Sequence, residues 1–400
     1  MKTTPNLAKL SRHGIIFENA FSTYDATPPS HFSLFTGLKK GFLSEKDRPD
    51  QSIAYHLKSI GYDSLGVSAN YNVRKKTIRA TRPFRKFLSP AEKYIRKKHR
   101  KFYDTVVVPR TQRLIKAFDM PSSSFNRNIT NGSAPVVNTA LDHLLESVRS
   151  PALIFANFMD AHDPYLPPEA FHTSEKNLPR GFSSDVRERK LPAWMRSPKR
   201  KIKDKKKLKK FLRRLRTVDN RAWSLTDDLS EAALEVYEKR YLEEVSYLDS
   251  QIGKTLDILD DRGFLENSLL IVTSDHGECF GEKGYITHSM GNRGDKRTSR
   301  HVPMLMVPNF APLKKRIIVT ERVSIADIPA TVYGLLGIDD TQFTDIHGAN
   351  YGTNHARHLP SLGRNEYRIQ LESEAPAFNQ AEDEEEMLKS LKALGYILDK

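Results

Sequence analysis

The chain has 400 residues, 38% of them hydrophobic, one cysteine and a formal net charge of +15. That length supplies one large domain or two medium ones, with a sizeable core and much of the chain left at the surface. The lone Cys279 excludes an internal disulfide, no run of about 18 apolar residues offers a membrane span, and the opening MKTTPNLAKLSRHG lacks the apolar stretch of a secretory leader, a pattern that favours the cytoplasm.

In chain order, GIIFENAF (14–21) is a short apolar run that predicts a strand. It leads into TYDATPPSHFSLFTGL, where Pro28 and Pro29 predict a turn and Ser30 the N-cap of a short helix through Phe35. SIAYHLKSIG (52–61) predicts a helix stopped at Gly61, followed by a strand at 62–70, the repeating unit of an α/β fold. Residues 71–133 are basic and turn-rich and predict an insertion with some helix. An amphipathic helix is expected at 134–150, then a wholly apolar strand at 152–159, covered on both faces as a central strand of a mostly parallel sheet. A second basic insertion fills 166–228.

The strongest helical pattern is 229–263, where Tyr241, Val245, Leu248, Ile252, Leu256 and Leu259 form one inward stripe and Gly263 ends the element. SLLIVTSD (268–275) predicts a buried strand, VPMLMVP (302–308) another, and SIADIPATVYGLLGI (324–338) a helix. A small strand-and-helix segment, 346–400, is expected to pack on a catalytic domain spanning 1–345.

Sites in open α/β sheets form at the carboxyl ends of strands. Three such ends are polar here: Thr27 to Gly37, Asp160 to Tyr165, and Ser274 to Glu278. Parallel strands would bring all three to one edge. A threonine hydroxyl just before a helix N-terminus is a weak nucleophile beside a site that favours anions. Asp275 and His276 offer one oxygen and one nitrogen to a divalent cation able to activate that hydroxyl. His162 can bind an anion or a leaving-group oxygen. Asp160, Asp163 and Glu278 are supporting groups, whereas Tyr165 reads as packing and Cys279 as an ordinary small residue.

Several stretches resemble the sulfatase family. TPNLAKLSRHGIIFENAFSTYDATPPSHFSLFTG is similar to its N-terminal signature, DAHDPYLPP to its substrate-side segment, and SLLIVTSDHGECFGEKG to its metal-binding segment. HVPMLM, ADIPATVYGLLGI and LKALGYI follow in the family's order. The resemblance implies an α/β, alkaline-phosphatase-like fold, a mostly parallel sheet flanked by helices. It further implies a metal-dependent hydrolase of sulfuric or phosphoric esters, or a phosphoryl-group transferase, acting on an anionic and possibly polyanionic substrate. Carried over by position, Thr27 is the nucleophile, Asp275 and His276 hold one divalent ion (zinc, manganese, calcium or magnesium), and His162 and His288 are catalytic. His31 and Lys296 are substrate contacts. Three departures stand out. Thr27 cannot become the formylglycine of strict sulfatases and is instead typical of phosphoryl-transferring relatives. His31 replaces an arginine. The family's opening strand, with its acidic metal ligand, has no counterpart before Thr4-Pro5-Asn6-Leu7, leaving Asp25 as the nearby acid.

The positive charge gathers at 82–104 and 196–216. These blocks carry no nucleic-acid motif and read as solvated faces, so nucleic acid is not the expected partner. The alternatives are a catalytically impaired or truncated sulfatase-like paralogue, or a basic protein that binds an acidic polymer through these blocks.

Overall fold

The computed structural model describes residues 3–38, 49–70, 72–89, 134–162, 165, 167–171, 173, 231–284, 286–288 and 296–338. The expected segment at 346–400, the basic block 196–216 and most of both insertions lie outside the described residues.

The chain enters through helix α1 (Pro5–Leu10) and strand β1 (Ile15–Phe21), then helix α2 (Thr27–Thr36). The two prolines do not bend the chain ahead of this helix; they sit in its first turn. Proline lacks only an N–H that the first turn leaves unbonded anyway, so α2 starts four residues earlier than expected and Ala26, not Ser30, is its N-cap. The Ser30 hydroxyl instead donates to the Tyr24 carbonyl at 3.0 Å, and left-handed Gly37 (φ 74°) ends the helix.

Helix α3 (Ile53–Ser59) and strand β2 (Asp63–Ser68) follow as expected. Part of the expected insertion belongs to the core: Lys86–Leu88 form strand β3, parallel to β2, and Val73, Ile78 and Phe84 are buried. Helix α4 (Ala134–Leu145) and strand β4 (Ala152–Asn157) complete this unit, a parallel sheet in the order β3-β2-β4. The expectation that β4 is a central, covered strand is corrected. It is the last strand of its sheet among the described residues, and each of its residues is half-buried.

Helix α5 (Glu231–Asp261) is long and leads to strand β5 (Leu269–Thr273), the short hairpin strands β6 (Cys279–Phe280) and β7 (Ile286–Thr287), and helix α6 (Lys296–Arg300). Strands β8 (Met304–Pro308) and β9 (Ile317–Ser324) precede the last helix, α7 (Ile328–Leu335). The second sheet runs β5-β8-β1-β9. Strand β8 is antiparallel to both β5 and β1, so those two point the same way, and β9 lies parallel to β1. The four-stranded sheet is therefore mixed, and β5, expected to be buried, is a half-buried edge. The expected helix at 324–338 is a one-turn start, boxed by Ser324 and Asp327, that continues into α7.

The expected stripe of α5 is half-buried except at Leu259. Its most buried face is polar instead and includes Arg240, Glu243, Gln251 and Thr255. Polar burial is stable because partners are supplied: Arg240 pairs with Glu243 at 2.6 Å, and the Thr255 hydroxyl donates to Asn138 of α4 at 2.7 Å. Asp249 accepts from the backbone N–H groups of Asn6 and Leu7 at 2.9 Å each, capping α1 from another helix.

Helix α2 packs against both sheets. Phe32 and Phe35 join a cluster with Phe155 of β4, while Leu34 packs against Ile15, Phe17 and Met306 of the other sheet. Phe32 is fully buried, so Phe32→Ala is expected to cost about 3–5 kcal/mol, read as a lower midpoint in urea unfolding. In α3, His56 lies against the rings of Tyr55 and Tyr333. Burial pushes its imidazole down to about 4, against the pull of Asp50. The native state thus holds it neutral while the unfolded chain takes up a proton near its ordinary pKa of about 6.5. Its contribution is present above that value and lost as pH falls toward 4, so His56→Gln should flatten the acid limb of stability between those limits.

Candidate functional site

Three chain segments leave their strands and meet. Beyond β1, the loop is held by a Ser22–Ser30 hydroxyl contact of 2.9 Å, which sets Thr27 at the first position of α2. Beyond β5 come Asp275 and His276. Beyond β4, Ala161 takes a left-handed conformation (φ 72°), a turn that costs a non-glycine residue energy and is common at functional sites. The contacts between the segments are direct. Thr27 Oγ1 lies 3.3 Å from His276 Nε2, and the ring of His288 is 4.1 Å from that of His276 and 5.0 Å from that of His162.

Gly277 makes the turn after β5 possible. Its N–H donates to the Ser299 carbonyl at 2.7 Å, and a Cβ there would come within 2.4 Å of the Thr298 carbonyl oxygen. Only glycine allows α6 to approach this closely.

Asp275 Oδ2 is 3.5 Å from His276 Nε2 and 3.4 Å from His31 Nδ1. His31 is 1% exposed; its Nδ1–H donates to the Thr27 carbonyl at 2.9 Å, and its ring packs on Phe35 and Phe155. It is therefore buried between Asp275, the start of α2 and these two rings. His276 Nδ1–H donates to the Gly277 carbonyl at 3.1 Å, which leaves the Nε2 lone pair facing Thr27.

Charge in the pocket is unevenly shared. Burial opposes ionisation of Asp275, but His276, His31 and His288 outweigh it and hold its carboxyl well below the usual carboxylate range. Burial likewise opposes protonation of His276, and Asp275 and Glu278 overcome it to raise that pKa. Burial and the neighbouring His276 push His288 down to about 3, so it is neutral near pH 7. Buried Asp25 bears on both histidines and favours their charged forms.

This donor set fits a divalent cation. A carboxylate oxygen and an imidazole lone pair 3.5 Å apart require positive charge between them, either a proton on Nε2 or an ion. Asp275, His276 and Thr27 are the residues that would hold it, and the ionised Asp275 would otherwise repel an anionic ester.

Thr27, Asp275, His276, His162 and His288 are thus brought together. Lys296 opens α6, and its side chain lies outside the described residues, as does Asp163. Asp160 accepts from the Ala134 N–H and caps α4. Tyr165 packs among Tyr237, Tyr241 and Phe280. The pairing of Glu278 with His288, at 2.8 Å, went unread in the sequence. Its signal was the spacing across a short hairpin: Cys279 pairs with Thr287, which sets Glu278 opposite His288.

The chain is 23% identical over 303 residues to iduronate 2-sulfatase of Mus musculus, covering 70% of this chain and 51% of that protein. A segment of 86 residues is 30% identical to choline-sulfatase of Rhizobium meliloti (strain 1021), covering 21% of this chain and 16% of that one. The chain spans about half the length of the iduronate sulfatase it matches. Among solved structures, the phosphonate monoester hydrolase of Silicibacter pomeroyi superposes with a TM-score of 0.54 at 16% identity, covering 87% of this chain and 72% of that one. This likeness confirms the α/β, alkaline-phosphatase-like fold. No helix among the described residues is long and apolar enough to cross a membrane. The sulfatase family profile matches residues 1–338, and the chain is accordingly a member of the sulfatase family.

Proposed function

We propose that this protein hydrolyses sulfate or phosphate esters through Thr27, with Asp275 and His276 holding a divalent ion. The observation that carries the reading is the contact of Thr27 Oγ1 with the lone-pair face of His276, beside the ionised Asp275. An ion held there supplies positive charge that lets the hydroxyl release its proton to solvent and neutralises the oxyanion of the ester.

The chain's own groups do the rest. Thr27 Oγ1 forms the bond to sulfur or phosphorus as the ester oxygen leaves, taking a proton from His162. Water then attacks the same centre and gives a proton back to His162, the bond to Thr27 breaks as its oxygen regains a proton from solvent, and sulfate or phosphate departs. His31 is a positioning residue: it fixes Asp275 and the start of α2 together. Neutral His288 offers a lone pair rather than a charge. Thr27 has no aldehyde hydrate with which to expel sulfate, so release needs attack from outside. A second hydroxyl in place of water would give group transfer.

The test is a panel of 4-nitrophenyl sulfate, 4-nitrophenyl phosphate and a phosphonate monoester, with the protein stripped by chelator and reloaded with zinc, manganese, calcium or magnesium. Turnover of at least one ester that depends on the ion supports the reading, and added glycerol that captures product reports transfer. No turnover of any of them with any ion defeats it.

A further inference from the structure

The β6–β7 hairpin places a second set of donors beside the Asp275–His276 pair. The register Cys279 to Thr287 puts Glu278 and His288 at its open end, and His276 lies two residues before Glu278. One donor atom each of His276, Glu278 and His288 lies within 4.8 Å of the others. The side chains of Glu278 and His288 are 7% and 10% exposed. Zinc binds nitrogen and oxygen donors at about 2.0–2.2 Å, so donors around a tetrahedral ion stand roughly 3.3 Å apart.

We propose that His276, Glu278 and His288 together bind a transition-metal ion of the zinc class. On this assignment the cation centre in this chain draws on the hairpin as well as on Asp275. The proposal rests on the reading above, since His276 is common to both, and it adds two ligands that the sequence motif does not assign. Two imidazoles and a carboxylate prefer zinc, cobalt or nickel to calcium or magnesium, which favour oxygen. The competing role for Glu278 and His288 is a buried hydrogen-bonded pair that only stiffens the hairpin.

Zinc binding to the full chain, measured by calorimetry after chelator treatment, separates these roles, with the visible bands of the cobalt-loaded protein as a second readout. Wild type is expected to bind one ion that excess calcium does not displace. Glu278→Gln and His288→Ala should each weaken zinc binding by more than about 100-fold, and His288→Ala should also change the cobalt bands. Where either variant fails to fold by circular dichroism, Glu278→Asp and His288→Gln take its place with the same expectation. A loss of less than tenfold in either variant, with unchanged cobalt bands, overturns the proposal. If only Asp275→Asn loses the ion, the hairpin assignment falls while the proposed function stands. If wild type binds no ion at all, both fall.

Discussion

Thr27→Ala is expected to reduce ester turnover by about 10⁴-fold or more, the scale seen when a covalent nucleophile is removed. Thr27 is 5% exposed and its hydroxyl makes one contact in the pocket, so the change deletes few atoms and should leave the unfolding midpoint nearly unchanged. The diagnostic comparison is Thr27→Ser, which keeps an oxygen at the first turn of α2 and should retain measurable activity. Ion binding should persist in both. If Thr27→Ala keeps wild-type turnover on the best substrate of the panel, the hydroxyl is not the nucleophile. A pre-steady-state burst in wild type that disappears in Thr27→Ala would report the covalent intermediate directly.

Asp275→Asn is the second large effect. The carboxylate sits beside His276 and His31, which keep it ionised despite burial. An amide of the same shape removes the negative charge and one ligand oxygen. The expected result is loss of more than about 100-fold in ion affinity and of activity in proportion, measured by metal analysis after dialysis and by the ester assay. His31 should tell the two roles of Asp275 apart. His31→Gln leaves the ligand in place but removes the Nδ1 contact, so it should weaken the ion less than Asp275→Asn does. An Asp275→Asn protein that keeps its ion and its turnover would defeat the reading.

The candidate site was legible in the sequence wherever chemistry followed an apolar run directly. Thr27, His162, Asp275 and His276 each stand just past a strand that its β-rich composition marks, and the α/β order did the rest. What was missed depends on partners far away in sequence. Strand β3 is three residues within a basic stretch, and it exists because β2 offers a parallel edge. Strand β9 carries the run IIVTERVS, whose β-branched content was a usable signal, overlooked beside the basic residues before it. The polar face of α5 is buried because α4 supplies Asn138 and α1 supplies its first amides, which no periodicity of α5 encodes. Ser30 was misread as a cap because its hydroxyl bonds backward to Tyr24. His31, expected at the substrate, is buried beside Asp275 with its ring edge-on to Phe155.

Helix α2 spans the seam between the two sheets, and that fixes how this pocket would fail. Thr27 and His276 travel with the four-stranded sheet, whereas His162 travels with β4. Strain that opens the seam would leave the first two in register and draw the third away. The alcohol would then lose its proton donor and formation of the covalent adduct would slow, ahead of any loss of helical signal. Heating would slow the proposed turnover before the protein melted.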